Sequence, residues 1–173
     1  SAAFADPVVF TADTLIAEDD LTYEGSNIVA QACTVTIQGT HAFGAFTIEA
    51  AAIVDATSTN LGLRELALNQ GTLFLAGGSL LTVSNALTLV TNSLIVCQGT
   101  NTAGQVSGEW VGRGVTIAAS NLTVDADSRI SADEQGYVPM HDQGDQWGIG
   151  PGASYFGSGA SHGGLGGYGT WYD

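Results

Sequence analysis

The feature that most constrains this chain is its punctuation. Short runs alternate apolar with small or polar residues, and Gly, Asn, Ser or Asp interrupts them every few positions. Cys33-Thr34-Val35-Thr36-Ile37, Phe46-Thr47-Ile48, Leu73-Phe74-Leu75, Leu87-Thr88-Leu89, Val115-Thr116-Ile117 and Leu122-Thr123-Val124 are of this kind. A two-residue period sends alternate side chains to opposite faces of a strand, and β-branched residues suit a pleated surface. Two stretches, 50–54 and 63–68, have helical composition. Each spans under two turns, too short to be stable alone, so both read as strand or turn.

The runs also repeat. Gln-Gly-Thr recurs at 38–40, 70–72 and 98–100, and sliding the chain along itself until the first copy meets the third brings Val35 onto Ile95 and Ile37 onto Cys97. Short strands recurring at a spacing of ~20–30 residues mark a solenoid, in which each coil stacks its strands on the next. A sandwich or jelly roll should instead carry Asn-Gly or Asp-Gly hairpin turns, and neither dipeptide occurs. The expected fold is all-β: a parallel β-helix over residues 1–130. Its apolar column should contain Val35, Ile37, Ile48, Leu73, Leu75, Leu89, Ile95, Ile117 and Val124.

Composition fits such a column tiled by small polar residues. Charged residues make up 12% of the 173-residue chain and hydrophobic ones 45%, against a usual charged share of about 25%. The formal charge is −14, with three Lys+Arg, all of them arginines: Arg64, Arg113 and Arg129. Such a chain cannot neutralise a run of phosphates, which excludes nucleic acid as a partner. No apolar run approaches the ~20 residues of a spanning helix, so no membrane insertion is expected.

Beyond residue 130 the character changes. Half of the 24 glycines fall within 131–173, interleaved with Tyr137, Trp147, Tyr155, Phe156, Tyr168, Trp171 and Tyr172. A flexible linker has little use for so many rings, so the segment reads as Gly-rich loops plugged by aromatics, part of the same domain. Ser131-Ala132-Asp133, Gly136-Tyr137, Gly150-Pro151-Gly152 and Gly159-Ala160-Ser161-His162-Gly163-Gly164-Leu165-Gly166-Gly167 resemble a Gly-rich signature of very large secreted or cell-surface proteins. There it follows Thr/Val/Ile-rich β-solenoid repeats. Here Glu134-Gln135 replaces the small residue expected after Asp133. The resemblance implies a structural or adhesin-like extracellular role and carries no activity.

Candidate chemistry is sparse. No nucleophile elbow, Walker loop or dinucleotide fingerprint occurs, and a polysaccharide lyase needs basic residues that this chain lacks. No enzyme is expected. His141, Asp142, Asp145 and His162 form the one metal-like cluster. Asp142 and Asp145 could serve Ca²⁺ through carboxylates and loop carbonyls, although the spacing is not that of a calcium loop. No other cofactor is expected. Cys33 and Cys97 lie too many coils apart for an intrachain bridge. They read as two buried thiols or, alternatively, as an intersubunit disulfide. Asn121-Leu122-Thr123 is a glycosylation sequon, and Ala3-Phe4-Ala5 has the small-x-small form of a signal-cleavage site.

The expectation is therefore a secreted structural protein: a subunit or segment of a self-assembling filament, sheath, matrix or adhesin. Its partners are itself or other segments of a larger surface protein. Open solenoids end in unpaired strand edges. Assembly is expected to join Val8, Val9 and Phe10 to the aromatic segment of Tyr137, Trp147, Tyr155, Phe156, Tyr168, Trp171 and Tyr172. The alternative is a carbohydrate-binding module stacking exposed rings on glycans or, further off, a polysaccharide-degrading β-helix.

Overall fold

Among the described residues twelve strands divide between two parallel sheets, and each turn of the chain contributes one strand to each. The structure, a computed structural model, describes residues 6–56, 60–137, 140–142 and 145–147. The first sheet runs β1 (Val8–Phe10), β3 (Ile28–Gln31), β5 (Thr40–Glu49), β7 (Asn60–Asn69), β9 (Leu80–Val90) and β11 (Thr116–Val124). The second runs β2 (Thr14–Ile16), β4 (Thr34–Ile37), β6 (Ile53–Ala56), β8 (Thr72–Leu75), β10 (Leu94–Cys97) and β12 (Arg129–Ser131). Every neighbouring pair within the two sheets is parallel. This is the expected β-solenoid, and the stretches 50–54 and 63–68 are turn and strand within it.

Register explains the repeat. Val35 stands beside Val54, Val54 beside Leu73 and Leu73 beside Ile95. The sequence match of Val35 with Ile95 is thus a match across three coils. Gln-Gly-Thr is not itself the period. Its first and third copies follow β4 and β10 at one corner, while the middle copy leads into β8 at another. The last step, from Ile95 to Ile130, takes far more chain than the earlier ones. The excess is the stretch Gly99–Arg113, which leaves the solenoid between β10 and β11. Together with Asp133–Asp173 it forms a second compact unit; Ser1–Gln98 and Gly114–Ala132 form the first.

One corner of the coil is turned by left-handed residues. Between first-sheet and second-sheet strands lie Ala32 (φ 50°), Ala50 and Ala51 (53° and 62°), Gln70 (58°), and Thr91 and Asn92 (both 58°). Immediately after them the corner column reads Cys33, Ala52, Gly71, Ser93, all buried. Only small side chains fit there: a Cβ on Gly71 would collide with the Ile48 carbonyl. The first sheet also bends along its length, where register shifts between Leu63 and Glu65 and between Ala119 and Asn121. A bulge bends a strand and increases its twist.

Inside, columns of Leu, Ile, Val and Phe fill the space between the sheets. Phe46, Leu66 and Leu87 form one such column, and Ile48, Leu68 and Leu89 another, all nearly inaccessible. Full burial of each such side chain contributes roughly 1.5–3 kcal/mol. Seven of the nine expected core residues are buried; Ile117 and Val124 are not. Ile117 is half-buried and Val124 is 39% exposed. They point inward, but β11 ends its sheet among the described strands, so no described strand is stacked over them.

Candidate functional site: the two ends of the solenoid

Polar side chains link several neighbouring coils at one coil's spacing. The Thr34 N–H donates to Asp13 Oδ1 (2.8 Å), the Ala45 N–H to Asn27 Oδ1 (2.9 Å), and Gln31 Nε2 to Glu49 Oε1 (2.6 Å). At the left-handed corner the Gly71 N–H donates to Ser93 Oγ and the Ser93 N–H to Ser128 Oγ. Asp125 Oδ2 accepts from the Thr91 N–H at 2.6 Å. Hydrogen bonds from the Ser128 hydroxyl and from the Thr91 backbone hold the Asp125 carboxyl below the usual carboxylate range.

At the N-terminal end, or head, the inward-facing side chains of β1 and β2 are covered although the strand edges are not paired among the described strands. Phe10 and Ile16 are 9% and 0% exposed, and Val8 is half-buried. The Tyr23 ring meets the Phe10 ring edge-on, with centroids 5.2 Å apart, and packs against the core. Residues 24–26 then run beside β5: the Gly25 N–H donates to the Ala42 carbonyl and the Gly44 N–H to the Ser26 carbonyl.

A buried His41 pins this stretch. Its Nδ1 lies 2.7 Å from Glu24 Oε1 and its Nε2 2.8 Å from the Gln38 carbonyl, while Glu24 Oε2 accepts the Ala42 N–H. His41 also stacks on Phe43. A surface cavity of about 350 Å³ opens beside the pair, lined by Thr40, Asn60, Leu80 and Thr82 among others. Sequence reading missed His41 and Glu24. Their separation of 17 residues, close to one coil, was the available signal.

At the C-terminal end, or tail, no described strand follows β11 or β12 in its sheet. Leu122 is 55% exposed, Val124 39% and Ile130 37%. Each points inward, since Leu122 stands over Leu87, Val124 over Leu89 and Ile130 over Ile95, all fully buried. The edges of β11 and β12 have no strand partner on this side among the described strands, and β1 and β2 have none at the head.

The sequence-expected residues distribute unevenly. Of Val8, Val9 and Phe10, only Val9 presents substantial apolar surface, at 49% exposure; Phe10 is a core residue. Tyr137 is half-buried, its ring 4.9 Å from that of Trp110, and its hydroxyl accepts the Gly112 N–H. Trp147 lies on β14 (Asp145–Trp147), which pairs antiparallel with β13 (Met140–Asp142) and sets Asp142 opposite Asp145. Only the backbone of these two strands is described. Tyr155, Phe156, His162, Tyr168, Trp171 and Tyr172 lie outside the described residues. Asn121 is exposed on β11, its side-chain amide donating to the Asn85 carbonyl.

Both cysteines are free thiols. Cys33 sits in the small-residue corner column, whereas Cys97 continues the column of Ile37, Ala56 and Leu75. Burial pushes the Cys97 thiol above its ordinary value. Among the described residues no group of three His, Cys, Asp or Glu is placed to hold a metal. No described helix is long and apolar enough to cross a membrane.

No family model, curated protein or solved structure matches this chain.

Proposed function

We propose that this chain is a structural segment of an extracellular surface assembly, a filament, sheath, matrix or adhesin, and that it works by contact rather than by catalysis. The observation that carries the reading is the open tail. Inward-facing Leu122, Val124 and Ile130 continue columns that are fully buried one coil earlier, yet they stand exposed beside two strand edges that have no partner among the described strands. Soluble monomers commonly guard such edges with lysine, proline or a covering element. This chain has no lysine at all, and proline stands only at positions 7, 139 and 151. Its low charge density also favours close approach of surfaces once the net −14 is screened.

Sedimentation and negative-stain microscopy of the full chain at high concentration and moderate salt test this reading. Ordered, concentration-dependent assemblies are expected. A chain that stays monomeric throughout refutes assembly as its function. If that monomer is retained on immobilised glycans, the carbohydrate-binding reading takes its place.

A further inference from the structure

The two ends of the solenoid belong to the same set of columns, so the register states what would meet if a second copy continued the stack. The column outside the second sheet reads Thr34, Ile53, Thr72, Leu94, Arg129. Thr14 pairs with Val35, which sets Asp13 beside Thr34 at the head of that same column. The bond from the Thr34 N–H to Asp13 Oδ1 agrees with the alignment. One column therefore begins with an exposed carboxylate and ends with an exposed guanidinium. Inside the first sheet, one column runs from Val8 to Leu122 and the next from Phe10 to Val124.

We propose that the open tail of one copy seats on the head of a second copy in continuing register, with Arg129 against Asp13 of the second copy and Leu122 over its Val8. The proposal rests on the assembly reading above and names its joint. The new pairing is parallel, as every pair within the two sheets is. The Val8 N–H already donates to the Asn27 carbonyl. Alternation along a strand therefore turns the N–H and C=O of Val9 towards the open edge, ready for β11 of the neighbour. Charge complementarity fixes the register: a one-residue slip separates Arg129 from Asp13 and turns Leu122 and Val124 away from the core. Both ends are consumed in a single heterologous contact, which leaves a new head and a new tail, so the stack propagates. Phe10 and Ile16 are already covered at the head. The joint gains apolar burial mainly on its tail side, which makes association modest and concentration-dependent.

Charge reversal tests the joint. Asp13→Arg and Arg129→Asp, each alone, set like charges face to face and should lower the association constant at least about tenfold. The double variant restores an opposite pair, and so does a mixture of the two single variants; both should regain wild-type association. Circular dichroism and the thermal midpoint check that each variant folds, because Asp13→Arg also removes the acceptor of the Thr34 N–H. Leu122→Glu provides a second route. That side chain is already exposed in the free chain, so the fold should survive while association is lost. Polymers that form as before in all these variants overturn the joint and leave the assembly reading standing. A wild-type chain that never associates overturns both.

Discussion

Thr91 holds a β-branched side chain at φ 58°, a conformation that crowds Cβ against the following carbonyl. Its side chain is exposed, and its N–H is the group that Asp125 accepts. Glycine at this position keeps that bond and removes the crowding, at some cost in unfolded-chain entropy. Thr91→Gly should therefore raise stability by roughly 0.5–1 kcal/mol in urea unfolding; an unchanged or lower midpoint would show that the corner is not strained. Asp125 carries the pH dependence of the same corner. Its folded-state pKa lies below the ordinary aspartate value of 3.8, held there by Ser128 and Thr91. The stabilisation is complete above the unfolded pKa and is lost as pH falls through the folded value. Thermal midpoints should accordingly drop below about pH 4, and Asp125→Asn should flatten that part of the profile. The bond between the buried His41 and the exposed Glu24 acts at the same scale, fastening residues 24–26 to β5.

At the scale of the strand, position within the stack outweighs residue type. Leu66, Leu87 and Leu122 share one column and one chemistry, but Leu87 lies between two coils and Leu122 ends the described stack. Leu87→Ala should cost about 2–5 kcal/mol, because the coils above and below cannot collapse into the gap. Leu122→Ala should cost under about 1 kcal/mol, since a half-exposed side chain has little transfer free energy left to lose. Equal losses at the two positions would mean that the tail is covered in the free chain. Ile117 and Val124 follow the same rule, which is why a correct alternating pattern named them as core while the structure leaves them partly in solvent.

For the whole molecule, the difference between its ends matters more than any single site. Tyr23 packs on Phe10 at the head, whereas Leu122, Val124 and Ile130 stand exposed at the tail, where no further strand is described. Each coil of a solenoid packs only on its neighbours in the stack, so an end coil is where a further element gains the most by docking. The −14 charge sets how easily a like chain can take that place. Repulsion falls as the Debye length shortens to about 8 Å at physiological salt. Arg129, one of only three basic residues, stands at the tail end of the column that Asp13 opens at the head.

The class of fold was legible in the sequence, because a two-residue alternation and the matching of Val35 with Ile95 and Ile37 with Cys97 are direct projections of strand and coil geometry. Burial of the inner seven of the nine expected core residues followed from the same pattern. What the sequence could not display was every property that depends on which coil lies next to which. The excursion Gly99–Arg113 lengthens one coil without altering the local pattern on either side of it. The bond between His41 and Glu24 joins residues that the chain brings together only by closing a turn. The exposure of Leu122 arises because no coil of the described structure lies above it, although its own flanking residues are those of a buried strand. Alternation is a local property of a strand and can be read along the chain. Neighbourhood in a stack is set by register between whole coils, and only the closed tertiary structure decides it.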